Sequence, residues 1–284
     1  MPSRPAPALP WVPFLLSAVR IAVGLLFFQH GAEKIWGFAN GRIEHNFATM
    51  RGFAGPLEVI GGTLLVLGLF TRITAFILCG EMAVAYFRTW APRGFFPIGN
   101  GGEEAVLFCY LYLWLVTSGA GPWSLDALLE RRQNGAKPVK QTLNSWEPYA
   151  RSILRIIFAF VFSLHGYRLL YGMFPQAARR GGVGRMPLDT LPAITGYIAI
   201  VGGALLFFGL MTQVSALVLS LQSLAAYLMI APSRSAVPLR AGADEVLLYF
   251  LIFLYLAAVG GGTWSLDFAI QRWRGPMALQ RRHS

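Results

Sequence analysis

Charged residues are scarce in this chain: they make up 13% of its 284 residues, whereas hydrophobic residues make up 55%. A soluble domain carries about 25% charged residues, so the composition excludes an ordinary soluble globular protein. Low-complexity segments are absent as well, and the mean hydropathy is +0.53. The composition therefore indicates a polytopic integral membrane protein in contact with the lipid bilayer.

The motifs of most enzyme classes are also missing. The sequence has no nucleotide-binding motif, no Cys and His at metal-ligand spacing and no Ser-His-Asp arrangement. Any electron acceptor would therefore come from a partner or from a lipid-soluble quinone. Cys79 and Cys109 are the only cysteines; they form no CxxC motif and no vicinal pair, so we interpret them as packing residues.

The net charge of +11 does not indicate nucleic-acid binding. No basic stripe with interleaved aromatic residues is present, and the Lys and Arg residues lie beside the ends of apolar runs. Contact with anionic lipids explains such a distribution. We expect no nucleic-acid partner.

What the sequence does contain is an internal repeat. EVIGGTLLVLGLFTR at 58–72 reappears at 199–213 as AIVGGALLFFGLMTQ. Further anchors recur at an offset of 135 or 141: Arg20 and Arg155, His30 and His165, Glu104 and Glu245, and WSLD at 123–126 and 264–267. The difference between the offsets indicates an insertion in the second copy around Pro175 to Pro187. The sequence therefore predicts a duplicated unit.

Each copy offers four apolar runs long enough to cross a bilayer as helices. We place them at 12–30, 54–70, 73–90 and 104–120, and at 152–171, 191–210, 213–230 and 245–261. An even number of helices per copy predicts a parallel repeat. We therefore predict an all-α integral membrane fold of eight transmembrane helices in two pseudo-equivalent four-helix bundles, with units at 1–126 and 151–284 and a basic linker at 127–150.

The orientation follows from Lys and Arg, which are slightly more numerous on the side of the linker and the termini. We therefore expect that side to be cytoplasmic. The first apolar run is followed by Gln29, His30 and Gly31 rather than by a small-residue cleavage site, so we expect an uncleaved anchor.

Ionisable residues inside the spans of the first copy are the main functional signal, because such groups are expensive in a membrane. Glu81 lies about 12 Å into the third helix, close to mid-membrane. Glu58 lies about one turn inside the second helix, while His30 and Lys34 share a face at the end of the first. These helix ends meet on the side opposite the linker, so we expect their charged groups in one layer.

We expect two ion pairs in this layer, Lys34 with Glu58 and Arg88 with Glu104. One interpretation is that such pairs only fix the register of the helices. Glu104 has a carboxylate counterpart in the second copy, which favours a structural role for it. Glu58 and Glu81 have no such counterpart and are therefore the stronger functional candidates.

The order of the motifs in each unit resembles the DoxX family. The residues that carry the resemblance are Arg20, His30, Gly31, Lys34, Gly37 and Phe38, then Glu58 with the glycine pair and the Thr71-Arg72 step, then SGAGPWSLD at 118–126. The resemblance implies small four-helix units of the bacterial inner membrane, some of them associated with quinol oxidation, thiosulfate:quinone oxidoreductase or resistance to oxidative and thiol stress. Most members are single units, so a tandem is a departure.

We therefore expect a redox-associated multi-pass membrane subunit that binds a quinone or a similar apolar ligand in the first bundle. A quinone needs an apolar slot with donors and proton carriers at its carbonyls. The candidate residues are His30, Glu58 and Glu81 as catalytic groups, and Lys34, Tyr86, Arg88 and Glu104 as cofactor-binding groups. We expect no metal site, and a membrane or peripheral redox protein as partner.

Three alternatives remain open at this point. A non-catalytic membrane scaffold would need none of the intramembrane acids for chemistry. A small-solute transporter is disfavoured, because no span shows the Gly/Pro break of a discontinuous helix. Haem ligation by His30 and His165 is the third.

Overall fold

The computed structural model describes residues 10–38, 41, 43–132, 138–172, 190–234 and 243–280. Across these ranges the chain is helical, with connecting turns and no strand. The α-helices are α1 (Val12–Trp36), α2 (Met50–Leu67), α3 (Thr71–Ala85), α4 (Pro97–Asn100), α5 (Glu103–Ser118), α6 (Leu125–Arg132), α7 (Pro138–Tyr171), α8 (Leu191–Phe208), α9 (Thr212–Arg234), α10 (Asp244–Val259) and α11 (Leu266–Gln280). The predicted insertion at 175–187 lies outside the described residues.

Among the described residues, five helices are long and apolar enough to cross a membrane: α1, α2, α7, α8 and the first 18 residues of α9. The predicted runs at 73–90, 104–120 and 245–261 correspond to α3, α5 and α10, which have 15, 16 and 16 residues. These three are shorter than the roughly 20 residues that span a bilayer core. The all-helical membrane fold is confirmed, and the count of eight spans stays a prediction.

The third and the fifth predicted runs differ most from the helices of the structure. The third run is not one continuous α-helix, because α3 ends at Ala85 and the chain continues as a π-helix over Tyr86–Trp90 and a 3-10 turn over Ala91–Arg93. The long helix α7 begins at Pro138, well before the predicted start at 152, so much of the stretch at 127–150 is helical. Proline suits a first helical position, since its missing N–H would have no partner there.

One hydrophobic core runs through both halves of the chain. Helix α5 packs along α7, and α1 packs against α10. Helices α5 and α10 also meet, and there the rings of Trp114 and Tyr255 lie 4.6 Å apart. Large apolar side chains also cover the outside of the molecule: Ile73, Phe76 and Phe87 are 64%, 68% and 70% exposed. Such a surface suits lipid rather than water.

Glycines let the helices approach closely, among them Gly24, Gly61, Gly62, Gly202 and Gly203. A Cβ atom on Gly62 would lie 2.7 Å from the carbonyl oxygen of Gly24, so these helices touch backbone to backbone. Gly61 and Gly202 face Leu78 and Leu219, where a Cβ would lie 2.7 and 2.8 Å from a leucine methyl. At these positions only glycine leaves room for the neighbouring helix.

The recurring arginines hold corresponding turns. The guanidinium of Arg20 donates to the carbonyls of Leu65, Val66, Ala120 and Trp123. Arg155 donates to the carbonyls at the matching positions, namely Leu206, Phe207, Gly261 and Trp264. Each arginine thereby ties its helix to the end of the next helix and to the WSLD turn. These anchors of the repeat therefore have a structural role.

The aspartate of each WSLD sequence caps a helix. Asp126 accepts hydrogen bonds from the backbone N–H groups of Phe70 and Thr71, at 2.8 and 2.9 Å. Asp267 accepts from Met211 and Thr212 at 2.9 and 2.7 Å. A carboxylate at the N-terminus of α3 or α9 satisfies backbone donors that have no partner within the helix.

Candidate functional site

A cavity of about 600 Å³ lies among α1, α2, α3 and α5. Its wall is largely apolar and includes Phe27, Leu57, Ile77, Met82 and Phe108. Its polar lining contains five of the predicted site residues: His30, Lys34, Glu58, Glu81 and Glu104. A cavity of this volume, apolar with a few polar groups, is typical of small-molecule sites.

The crossing of α1 and α2 places one ion pair in the cavity wall. A Cβ atom on Gly31 would lie 2.7 Å from the carbonyl oxygen of Gly55, so the two helices touch at this point. Lys34 follows Gly31 by about one turn, and Glu58 follows Gly55 by about one turn. The Lys34 ammonium contacts both carboxylate oxygens of Glu58, which is 2% exposed. The predicted pairing of these two residues is confirmed.

The matching crossing of α7 and α8 forms without this ion pair. A Cβ atom on Gly166 would lie 2.5 Å from the carbonyl oxygen of Gly196. Leu169 and Ala199 stand where the first segment has its lysine and glutamate. Because the glycine contact alone suffices there, helix register does not require the charged pair.

Glu81 on α3 has the least satisfied polar group of the cavity. Both of its carboxylate oxygens are buried, and neither has a hydrogen-bond partner among the described residues. Its counterpart Gln222 donates from Nε2 to the carbonyl of Thr195 at 2.9 Å. A buried carboxyl without a partner is expensive and is a default candidate for function. Glu81 is therefore free to bind a ligand.

His30 and Glu104 extend the polar lining to the contact between the two halves. The Nε2 atom of His30 lies 2.6 Å from Oε1 of Glu104 and 3.3 Å from Oδ2 of Asp244. Asp244 begins α10, so its carboxylate comes from the second half of the chain. The cavity of the first half thus borders on an acid from the second.

His30, Glu104 and Asp244 also have the donor atoms of a metal site. One imidazole and two carboxylates can ligate zinc or iron, and the candidate ligand atoms lie within 4.8 Å of one another. The 2.6 and 3.3 Å separations fit an ion pair between an imidazolium and two carboxylates equally well. Sequence spacing gave no sign of this cluster, because its members come from three different helices.

A second histidine makes a matching contact. The Nε2 atom of His165 lies 2.6 Å from Oε1 of Glu103, and the hydroxyl of Tyr249 donates to the same oxygen at 2.6 Å. Neither Glu103 nor Tyr249 is among the site residues predicted from the sequence. The internal repeat could have indicated this contact, since Glu103 and Asp244 stand at equivalent positions and so do His165 and His30. Each histidine contacts carboxylates, which gives no support to haem ligation by the pair.

Tyr86 and Arg88 do not line the cavity. They lie in the π-helix after α3, where Arg88 is exposed and has no carboxylate within 4.0 Å among the residues described. The predicted Arg88–Glu104 pair is therefore wrong; Glu104 contacts His30 instead. The hydroxyl of Tyr86 accepts a hydrogen bond from Asn100 at 3.3 Å. The change of helical pitch after Ala85 turns both side chains out of register with Glu81.

The two cysteines, interpreted from the sequence as isolated packing residues, lie in contact. The Sγ atoms of Cys79 and Cys109 are 3.6 Å apart, on α3 and α5. Both are half-buried free thiols. A spatial pair therefore exists where the sequence showed none.

Several apolar helices around a charged cavity define a polytopic membrane protein. The sequence profile of the DoxX family matches residues 15–90 and 150–232, so the chain belongs to the DoxX family, and the two matches agree with a tandem duplication. An uncharacterized protein of Haemophilus influenzae is 47% identical over 120 residues, covering 40% of this chain and 90% of that protein.

A second relative is an uncharacterized membrane protein of Mycobacterium tuberculosis. It is 30% identical over 131 residues, which cover 40% of this chain and 80% of that protein. Both relatives are thus close in length to one half of this chain. No solved structure matches the chain.

Proposed function

We propose that the chain binds a quinone, or an apolar ligand with similarly placed carbonyl oxygens, in the cavity of its first half. In this proposal the protein is a redox-associated subunit of the bacterial inner membrane. The observation that carries the proposal is the unpartnered carboxyl of Glu81 in an apolar wall. A carboxylic acid in such a place is a hydrogen-bond donor that lacks an acceptor, and a quinone carbonyl is an acceptor that suits a lipid-fed cavity.

In this proposal each polar residue of the cavity has a distinct role. Glu81 donates to one carbonyl of the ligand, and the Lys34–Glu58 pair provides a second donor and an internal base. His30 and Glu104 form the polar end of the cavity. Reduction of a quinone takes up two electrons and two protons; these side chains handle the protons, while a redox partner supplies or accepts the electrons. Tyr86 and Arg88 are left out of the ligand contacts.

The proposed setting is a bundle of eight spans in two units, 1–126 and 151–284, with the stretch at 127–150 on the cytoplasmic side. The 15 residues of α3 and the five of the π-helix together reach a spanning length. Helices α5 and α10 are short, but they lie in the shared core, where protein rather than lipid surrounds their ends.

Equilibrium binding tests the proposal. The purified full chain in lipid nanodiscs is titrated with ubiquinone-1, alongside Glu81→Met and the matched change Gln222→Met in the second segment. We expect saturable binding that is at least about tenfold weaker in Glu81→Met, since one lost hydrogen bond in an apolar site corresponds to about 1.4 kcal/mol or more. Gln222→Met should bind as the wild type does.

Equal affinity of all three proteins for ubiquinone-1 would mean that Glu81 does not contact the ligand. Absence of saturable binding by the folded wild type would overturn the quinone proposal, and the scaffold alternative would replace it.

A further inference from the structure

Cys79 and Cys109 have a geometry that packing does not require. Their Sγ atoms lie 3.6 Å apart, across the contact between α3 and α5. A disulfide has an S–S length of about 2.05 Å, so an approach of about 1.5 Å would join them. Rotation of two side chains with small movements of the helices could provide that approach.

The pair lies between the cavity and the outer surface. Gly80 and Phe108, the chain neighbours of the two cysteines, line the cavity. Phe76, about one turn before Cys79, is 68% exposed, and Leu113, one turn after Cys109, is 36% exposed. An apolar exposed surface on a membrane helix faces lipid, so the thiols are closer to lipid-soluble reagents than to water-soluble ones.

The second half shows that this helix contact needs no sulfur. Ser220 and Phe250 stand at the equivalent positions, and the Ser220 hydroxyl donates to the carbonyl of Phe250 at 3.1 Å. Helices α9 and α10 pack closely with these residues. The dithiol is therefore an addition in the half that also carries the cavity and Glu81.

We propose that Cys79 and Cys109 are a redox-active dithiol that a lipid-soluble quinone oxidises to a disulfide. Each thiol loses one proton and one electron, and one S–S bond forms. The quinone gains two electrons and two protons and leaves as the quinol. The identity of the oxidant rests on the proposed function, since the ligand of the neighbouring cavity would be the nearest quinone.

The test counts thiols in the full chain in nanodiscs. The protein is incubated with ubiquinone-1, denatured, alkylated with a maleimide and weighed intact. We expect two alkylatable thiols before oxidation and none afterwards, one quinol formed per chain, and recovery of both thiols with dithiothreitol. The membrane-impermeant oxidant hexacyanoferrate should act at least about tenfold more slowly on a lipid-facing pair.

Cys79→Ser is the control variant, and Ser220 shows that this helix contact accepts a serine. It should keep one alkylatable thiol and form no quinol. Two thiols that stay alkylatable in the wild type after quinone treatment would overturn the dithiol proposal, even if ubiquinone-1 binds in the cavity. Faster oxidation by hexacyanoferrate than by quinone would overturn it as well.

The variant Glu81→Met distinguishes the dithiol proposal from the proposal that the cavity binds a quinone. Oxidation in the wild type but not in Glu81→Met supports a dithiol that is oxidised from the cavity. Oxidation at equal rates in both supports the dithiol with a quinone that arrives from the lipid, and the cavity is then judged by its own binding experiment.

Discussion

His165 and Glu103 join the two halves of the chain: Nε2 of the histidine on α7 lies 2.6 Å from Oε1 of the glutamate that begins α5. The equivalent contact from the first half to the second joins His30 on α1 to Asp244 at the start of α10, with 3.3 Å between Nε2 and Oδ2. Each histidine thus contacts the acid at the first position of α5 or α10 in the other half. The two contacts place four polar groups between the halves of the chain, where an unpaired charge would be costly.

Glu103→Ala should therefore destabilise the protein strongly. Glu103 is 4% exposed, and its loss leaves His165 and the hydroxyl of Tyr249 without their acceptor. We expect the free energy of unfolding to fall by about 3–5 kcal/mol, measured by denaturant titration in detergent. The control is Glu33→Ala, whose partner Arg51 is 45% exposed; a half-exposed pair contributes about 0–1 kcal/mol. Equal small losses would mean that the exchanged contact does not hold the halves together.

Glu58→Gln and Glu81→Gln should affect stability differently. Glu58 is paired with Lys34, so its neutralisation leaves a half-buried ammonium alone and should lower the free energy of unfolding by several kcal/mol. Glu81 has no partner, so its amide should be as stable as the wild type or more stable. Thermal unfolding of both variants checks this. Any redox turnover should be lost in Glu81→Gln despite normal folding, because an amide carries no transferable proton.

Several features of the candidate site and of the fold could be predicted from the internal repeat. Lys34 and Glu58 could be paired in advance, because they stand at helix ends that an alternating topology brings to one side. Glu58 and Glu81 could also be distinguished from Glu104, because the second half has no acid at their equivalent positions; their functional role stays a prediction. Helix positions were also close, because long apolar runs are strong signals in a membrane protein.

The remaining contacts depend on distances between helices, which periodicity does not contain. The sulfur pair of Cys79 and Cys109 comes from two helices whose relative rotation is set by packing. The partner of His30 in the other half was hidden for the same reason. Arg88 was misplaced because the π-helix shifts its direction by a fraction of a turn, which propensity does not predict.

Gly62→Ala should be destabilising, because its Cβ would lie 2.7 Å from the carbonyl oxygen of Gly24 and from the backbone nitrogen of Phe28. Backbone cannot move aside as a side chain can, so we expect a loss of about 1–3 kcal/mol. Gly80→Ala is the matched control, since a Cβ there meets nothing within 4 Å. It should be neutral or stabilising by about 0.5–1 kcal/mol. A harmless Gly62→Ala would contradict the close crossing; thermal unfolding measures both.

Arg20→Lys and Arg155→Lys should lower stability by similar amounts. Each guanidinium holds four backbone carbonyls at matching positions, and an ammonium lacks the planar fork that reaches all of them. Two lost hydrogen bonds with buried acceptors correspond to about 2–4 kcal/mol. The free energies of unfolding of the two single variants and of the double variant are measured and compared. A large effect at Arg20 with none at Arg155 would mean that the two arginines do not have equivalent structural roles.

Accessibility labelling tests the proposed eight spans. Glu130 and Gln271 follow the two WSLD turns at equivalent positions and are exposed. In a background with Cys79→Ser and Cys109→Ser, Glu130→Cys and Gln271→Cys should react with an impermeant maleimide from the same side, because four spans separate them. Phe95→Cys is the control for the other side, since Phe95 is 85% exposed in the turn before α4. In intact cells only Phe95→Cys should react, and in inverted vesicles only the other two, because the linker side is cytoplasmic in the proposal. Labelling of Glu130→Cys and Gln271→Cys from opposite sides would leave an odd number of spans between them, and the short helix α10 would then not cross the membrane.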